Sequence, residues 1–366
     1  MLPYILVFLF SSICTFVAYK NQRVNLIFIP LVVLAVLVPA MLSGYRDLTV
    51  GIDVLMYGLP TFDNVYWIDG LRTFWEEKTS EKLEVGYVFF NWLVRRSTDK
   101  FGWFLFWQQL FALTFVQIAC WRLRDKLNAP LLYTIYLVYY FCISMCHLRQ
   151  MLAVALVMVA FSYAIEKQWR KYAIWIIIAM LFHRSAVIMF VIYPIARYTD
   201  IEEPIRNKYL FYILVGGTIL VTFFPIVIHF LIGRGLISSH YAKYADAAGN
   251  NVHKADMLIT FCIYFFHRLR TDENNYFANN ISILSLMSLF ILACGMYNDV
   301  AQRIAYYINL YIFINVLCLT RREGRFSLNR YELMLLAMLT VQFVYVGLRF
   351  HFANVIPYTS VRLGIM

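Results

Sequence analysis

Residues 26–42 read LIFIPLVVLAVLVPAML, and residues 281–296 read ISILSLMSLFILACGM. Neither run contains a charged residue, and neither alternates apolar and polar positions as the ~10-residue strands of a membrane β-barrel do. Each is close to the roughly 20 residues that an α-helix needs to cross a hydrocarbon layer about 30 Å thick. The two runs therefore predict membrane-spanning helices and exclude a β-barrel.

The composition of the whole chain extends that prediction. Of the 366 residues, 62% are hydrophobic and only 14% are charged, and the mean hydropathy is +0.65. Soluble domains carry about 25% charged residues, so a water-soluble globule is excluded. The sequence predicts an all-α polytopic membrane protein, a single integral membrane domain over residues 1–366, with about 10–12 transmembrane or re-entrant helices.

The net charge of +11 could indicate a nucleic-acid partner, but its distribution indicates membrane topology instead. Basic residues concentrate in short turns, such as Lys20 with Arg23 and the turn at 122–126. Under the positive-inside rule these turns face the cytoplasm and the N-terminus faces outward. No nucleic-acid partner is therefore expected.

The predicted crossings follow from the requirement that every basic turn faces the cytoplasm. The segment 172–194 is predicted to form two half-length helices that meet near His183–Arg184, because a single crossing would place the later basic turns outside. The segment 256–266 is short for a crossing and is the alternative irregular piece. Two outer loops are expected, 43–100 with short helices and 233–255. The full crossings are predicted at 1–19, 24–42, 101–121, 130–146, 151–165, 209–232, 256–266, 277–297, 303–319 and 332–349.

Several kinds of site are disfavoured by the motifs that the chain lacks. The seven cysteines lie in or beside apolar segments and form no CxxC pair, so neither disulfides nor a zinc site is expected. No HExxH motif, paired DxD motif or glycine-rich phosphate loop lies near the outward-facing polar residues. A nucleotide-sugar donor is therefore disfavoured, and metal-independent chemistry is expected, with no cofactor.

With this topology, the polar residues beside apolar runs collect on the outward side. An arginine beside hydrocarbon either extends to the lipid headgroups or lies in a protein cavity. Several arginines accompanied by carboxylates and a histidine favour a site for an anion. The residues concerned are Arg46, Asp53, Glu84, Arg149, His183, Arg184, Asp299 and Arg303.

The segments that carry these residues resemble a known family. Residues 46–57 read RDLTVGIDVLMY, which is similar to the R-x(4)-G-x-D-x(3)-Y motif of the EpsG-like, Wzy-type polysaccharide polymerases. Further family elements follow in order: E-x-G-[YF] at Glu84–Tyr87, R-Q-x-x-A at Arg149–Ala153, and H-[KR]-S-A at His183–Ala186. The element R-[IL]-x-x-Y-[FY] resembles the chain at 303–307, more loosely.

This resemblance implies a polymerase in the bacterial cytoplasmic membrane, with an active site that faces the periplasm. Such enzymes join oligosaccharide repeat units carried on polyprenyl diphosphate, so the lipid-linked glycan is the implied substrate. The relatives share a GT-C-like glycosyltransferase architecture that O-antigen ligases also use. A chain-length regulator and a flippase of the same pathway are the implied protein partners.

The chemistry of the reaction suggests roles for the candidate residues. Arg149 and Arg303 would hold the diphosphate leaving group, since arginine forks to phosphate oxygens with two donors. Asp53 is favoured slightly over Glu84 as the general base for the acceptor hydroxyl, and His183 would hydrogen-bond that hydroxyl or the diphosphate. Arg46 and Asp53 would meet at a pocket rim or form a surface ion pair. Gln150, Arg184 and Tyr57 complete the predicted substrate-binding set.

Two other functions remain as alternatives. An O-antigen ligase would use the same scaffold, but ligases usually carry their large outer loop late in the chain, whereas here the longest predicted loop is 43–100. A polysaccharide or lipid transporter would show an internal repeat and ionisable residues near the bilayer midplane, and the sequence has no visible repeat.

Overall fold

The computed structural model describes residues 1–70, 73–74, 83–198, 203–234, 252–270, 275–295, 299–321, 328–352 and 354–365. Over these residues the chain is helical, apart from an isolated antiparallel bridge between Ser360 and Ile365. The α-helices are α1 Leu2–Lys20, α2 Asn25–Tyr45, α3 Leu59–Asn64, α4 Val85–Arg95, α5 Phe101–Leu123, α6 Ala129–Cys146, α7 Leu148–Ile165, α8 Trp169–Met180, α9 Ile192–Tyr198, α10 Glu203–Gly233, α11 Val252–Arg270, α12 Tyr276–Cys294, α13 Asp299–Thr320 and α14 Arg330–Phe350.

Eight of the described helices are long and apolar enough to cross a membrane. They are α1, α2, α5, α6, α7, α12, the part of α13 from Gln302 onward, and α14. Their mean hydropathies lie between 1.4 and 2.7, and each spans at least 18 residues. The prediction of an all-α multi-pass membrane protein is therefore confirmed.

The structure also tests the irregular segments. Residues 172–194 do not form one helix: α8 ends at Met180, and a 3₁₀-helical stretch, Arg184–Val191, leads into α9. The predicted break near His183–Arg184 is confirmed. The predicted helix 256–266 lies within a longer one, α11, which has 19 residues, so the alternative of an irregular piece there is wrong. Of the predicted outer loop 233–255, residues 235–251 lie outside the described residues, and 252–255 already belong to α11.

Two compact units divide the chain. The first contains Met1–Val187 and Leu339–Met366, and the second contains Ile188–Glu323 and Leu328–Met338. In the first unit, α6 and α7 are the most deeply enclosed helices, each with 89% of its apolar stretch buried. They meet at a turn of one residue, His147, shorter than the four residues between the predicted crossings 130–146 and 151–165.

The predicted loop 43–100 carries short helices in the described part, as expected. A π-helical turn, Val54–Gly58, continues directly into α3, and α4 follows after the residues that are not described. Residues Val65, Ile68, Phe74 and Val88 form a small buried cluster that ties the start of this loop to α4. The loop is therefore packed against the helices and carries its own apolar core.

The C-terminal segment 354–365 packs against the end of α2, a contact that the sequence did not predict. The Tyr358 hydroxyl donates to the Leu42 carbonyl at 2.8 Å, and the Ser360 hydroxyl donates to the Tyr45 carbonyl at 2.5 Å. The Asp47 amide donates to the Thr359 carbonyl at 3.0 Å. The two hydroxyl bonds satisfy carbonyls at the C-terminus of α2, where the helix has no backbone donors left for them.

The second unit is held together by polar contacts between its helices as well as by apolar packing. The Asn280 amide donates to Asn315 Oδ1 at 3.2 Å, and the Ser288 hydroxyl donates to Asn309 Oδ1 at 2.6 Å, so both bonds join α12 to α13. Gln302 Nε2 donates to Asp256 Oδ2 at 2.9 Å and joins α13 to α11. Side-chain hydrogen bonds of this kind stabilise helix pairs in lipid, where water does not compete.

Candidate active site

Two glycines bring the predicted motifs together. Gly51 has φ +96°, a conformation that favours glycine, and a side chain there would collide with the Met145 carbonyl. Gly86 donates its amide to the Leu181 carbonyl at 2.7 Å, and a Cβ at position 86 would lie 2.7 Å from that oxygen. The glycine of each motif is therefore needed for a close backbone approach: the first to the α6–α7 turn, and the second to the end of α8.

The centre of the site is an ion pair between Glu84 and Arg149. Arg149 Nη1 lies 2.6 Å from Glu84 Oε2, and the two side chains are 20% and 7% exposed. Glu84 lies at the N-cap of α4, and Arg149 lies in the first turn of α7. The Arg149 guanidinium also stacks on the ring of Tyr57, with Cζ 4.5 Å from the ring centroid.

The break after α8 supplies the second set of partners for Glu84. His183 Nδ1 lies 3.2 Å from Glu84 Oε1, and the backbone amide of Arg184 donates to the same oxygen at 3.2 Å. Both oxygens of Glu84 are thus engaged. Its burial opposes ionisation, but the His183 contact, the Arg149 charge and the Arg184 amide together lower the pKa of Glu84 to about 2.

Asp53 lies on the other side of Tyr57. The Tyr57 hydroxyl donates to Asp53 Oδ2 at 2.6 Å, and His147 Nδ1 lies 3.7 Å from the same oxygen. Burial and the neighbouring Asp53 carboxylate raise the pKa of Tyr57 well above its ordinary value, so the hydroxyl keeps its proton. Asp53, Tyr57, Arg149, Glu84 and His183 therefore form one continuous chain of contacts, which we call the Glu84 cluster.

Arg46 has a different environment from the one predicted. It is 5% exposed, and its Nη1 donates to the Met145 carbonyl at 2.7 Å. Burial lowers the pKa of Arg46 to about 10, which still leaves it charged near neutral pH. Arg46 and Asp53 thus contact successive residues of the same α6–α7 turn. Arg46 is buried, whereas the alternative of a surface ion pair predicts an exposed side chain.

One group of side chains, which shares Asp53 with the Glu84 cluster, has the composition of a metal site. The ligand atoms of Asp53, Cys146 and His147 all lie within 4.8 Å of one another. Oxygen, sulfur and nitrogen donors suit a transition metal such as zinc. In this structure, Asp53 Oδ2 in this group already accepts a hydrogen bond from the Tyr57 hydroxyl at 2.6 Å.

The structure brings most of the predicted site residues together. Arg46, Asp53, Tyr57, Glu84, Arg149, His183 and Arg184 contact one another or the α6–α7 turn, as described above. Gln150 is 3% exposed and follows Arg149 in α7. Arg303 lies in α13 of the second unit and is partly exposed. His147 was missed as a site residue, although its position directly before the Leu148–Arg149–Gln150 motif could have indicated it.

The comparisons with known proteins identify the family. Residues 29–360 match the model of the EpsG family. The chain belongs to the EpsG family. No curated protein and no solved structure matches the chain. Membership of the EpsG family links the protein to exopolysaccharide synthesis, and it confirms the resemblance found in the motifs between Arg46 and Tyr307.

Proposed function

We propose that the protein is a polymerase that joins polyprenyl-diphosphate-linked oligosaccharide repeat units into a polysaccharide. The reaction would take place on the outer face of the bacterial cytoplasmic membrane. The observation that carries this proposal is the Arg149 side chain, which Glu84 and Tyr57 hold in one orientation among titratable groups from three separate family motifs. A fixed guanidinium at the start of a helix suits an anionic leaving group.

The step that needs most stabilisation is the departure of the lipid diphosphate. The acceptor hydroxyl oxygen forms a bond to the anomeric carbon of the donor sugar, and the bond from that carbon to the diphosphate oxygen breaks. The electron pair of that bond goes to the diphosphate, which gains negative charge. Arg149 would stabilise this charge, and Arg184 would add a second cation, because donors fixed beforehand need no rearrangement during the reaction.

The acceptor hydroxyl must lose its proton as the new bond forms. Glu84 is a poor base, since both of its oxygens are engaged and its pKa is about 2. We therefore assign the proton to Asp53, whose side chain is 13% exposed against 7% for Glu84 and is oriented by Tyr57. Glu84 becomes a positioning residue that holds Arg149 and His183. His183 would hydrogen-bond the acceptor hydroxyl or a diphosphate oxygen.

The remaining expectations from the sequence complete the proposal. Lipid-linked oligosaccharides would be both donor and acceptor, no metal would be required, and a chain-length regulator and a flippase would be partners. Gln150 would contribute to substrate binding, and Arg303 stays a predicted diphosphate-binding residue.

The test is the length of the polymer that the source strain makes. In a strain without the native gene, a copy carrying Arg149→Ala should leave surface glycan at one repeat unit while the protein level stays normal. Arg122→Ala is the matched control, because Arg122 is also paired with a glutamate and stacked on a tyrosine. Long chains in the Arg149→Ala strain would overturn the proposal. Loss of all surface glycan, including single units, would indicate a transporter or a ligase.

A further inference from the structure

A cavity of about 370 Å³ lies in the first unit between α2, α5 and the C-terminal segment. Its apolar wall includes Leu37, Met41, Trp103 and Phe106, and Lys100 and Arg362 also line it. We call it the α2–α5 groove. Its volume lies at the lower end of the range of about 300–1,000 Å³ that is typical of small-molecule sites. It shares no residue with the Glu84 cluster.

The groove exists because α2 and α5 approach each other at two glycines. A Cβ on Gly44 would lie 2.7 Å from Phe106 Cβ, and one on Gly102 would lie 2.7 Å from the Gly44 carbonyl oxygen. The backbone at Gly44 and Gly102 therefore lies at the bottom of the groove, and the larger side chains on either side line it. Arg362 reaches the same place from the C-terminal segment, with Nη1 3.6 Å from the position of a Cβ on Gly102.

The apolar wall faces outward. Met41 is 39% exposed and Trp103 is 46% exposed, and only 33% of the apolar stretch of α2 is buried within the protein. In a membrane-spanning helix, such a surface contacts lipid chains, and tryptophan is typical of the level where chains meet headgroups. The groove is therefore open to the bilayer.

Two cations lie in this apolar surrounding. Neither Lys100 nor Arg362 forms an ion pair with an acidic side chain among the residues that the structure describes. Asp47, an acid beside the C-terminal segment, accepts the Val361 amide at 3.0 Å, and Asp99, which precedes Lys100, pairs with Arg95. A molecule with an apolar chain and an anionic head would complement both parts of the groove.

We propose that the α2–α5 groove binds an anionic phospholipid of the bilayer, with its phosphate between Lys100 and Arg362 and an acyl chain along Leu37, Met41 and Trp103. Bilayer lipids surround this open face in large excess, which favours them over the scarcer substrate lipid as occupant. The site is separate from the proposed reaction, so its test does not depend on polymerase activity.

The experiment is a lipid titration of the purified full-length protein in detergent, followed by native mass spectrometry. Phosphatidylglycerol should bind the wild type about 25-fold more tightly than phosphatidylcholine, since each of the two basic residues near the headgroup contributes about a factor of five. The variant Lys100→Gln/Arg362→Gln should lose this preference. Met41→Trp, which fills the groove but keeps both cations, should weaken the binding of both lipids.

The matched control is Lys20→Gln/Arg23→Gln, which removes two exposed cations from the turn before α2 and should keep the preference. The melting temperature of each variant in detergent alone checks that it folds. Equal affinities of the wild type for the two phospholipids, or an unchanged preference in Lys100→Gln/Arg362→Gln, would overturn the proposal. Displacement of phosphatidylglycerol by undecaprenyl phosphate from the wild type at lower concentration would also overturn it, because the groove would then be a substrate site.

Discussion

Arg149 and Arg122 lie near opposite ends of α7 and are held in nearly the same way. Arg149 is 2.6 Å from Glu84 and stacks on Tyr57 at 4.5 Å. Arg122, at the end of α5, is 2.6 Å from Glu166 and stacks on Tyr163 at 3.7 Å. The 18 residues of α7 separate the two arrangements by about 25 Å along its axis.

The surroundings of the two arginines differ. Arg122 also donates to the Ser162 hydroxyl at 2.7 Å, and Glu166 accepts from Gln168 at 2.9 Å. A second cation, Lys171, lies 5.6 Å from the Tyr163 ring centroid. The first includes His183, His147 and Asp53, and its glutamate is 7% exposed against 23% for Glu166. An arginine paired with a glutamate over a tyrosine therefore occurs twice in this chain, and the additional carboxylate and the two histidines distinguish the candidate site.

The largest expected difference between the two arginines is in the rate of polymerisation. Arg149→Ala should lower the rate by about 10²–10³, the usual loss when a donor to a developing negative charge is removed. Arg149→Lys should restore only part of it, because lysine cannot fork to two oxygens. Arg122→Ala and Arg122→Lys should stay within a fewfold of the wild type. If Arg122→Ala polymerises as slowly as Arg149→Ala, the functional distinction between the arrangements at the two ends of α7 would be wrong.

A loss of about 10² or more is expected for Asp53→Asn, since a general base contributes about 10²–10⁴. The measurement is the rate of lipid-linked repeat-unit consumption across a range of pH. Tyr57→Phe keeps the Asp53 carboxylate and should cost less than Asp53→Asn. If Asp53→Asn is fully active and Glu84→Gln is not, then the base would be Glu84.

The variant Glu84→Gln, which lacks the carboxylate, should change how the stability of the protein depends on pH. The pKa of Glu84 falls from an ordinary value of 4.5 to about 2 in the folded protein. Because the folded pKa is the lower one, the stabilisation is complete above pH 4.5 and is lost as the pH falls towards 2. The melting temperature of the wild type should therefore fall more steeply below pH 4.5 than that of Glu84→Gln. Equal slopes would contradict the Glu84 contacts described above.

The smallest effect is expected from chelation. Removal of divalent cations with EDTA should leave the polymerisation rate unchanged, and Cys146→Ser should be active. A loss of activity that zinc restores in the wild type but not in Cys146→Ser would instead assign a metal to Asp53, Cys146 and His147, whose ligand atoms lie within 4.8 Å of one another.

The sequence predicted the helices with long uniform runs, because hydrophobic length alone specifies a span. It also predicted the break at His183, since the order of basic turns along the chain constrains it. It missed the full length of α11, where Asp256 and Lys254 interrupt the apolar pattern within one helix. It also missed the segment 354–365, because Tyr358 and Ser360 bond to residues more than 300 positions away.

The candidate site was partly predictable for a similar reason. Motif residues such as Arg149, Glu84 and Asp53 could be selected by their type and order. Their pairing could not, because Glu84 was expected to act as a possible base, whereas Arg149, His183 and the Arg184 amide engage both of its oxygens. Only the folded chain reveals which polar groups already satisfy one another.

The most direct test of the central claim is a reaction of the purified protein with lipid-linked repeat units as its only substrate. Product length and released polyprenyl diphosphate would be measured together by mass spectrometry. We predict a ladder of products that differ by one repeat unit, with one diphosphate released for each new linkage and almost none in Arg149→Ala. No elongation by a folded wild-type protein, or equal release in Arg149→Ala, would contradict the account.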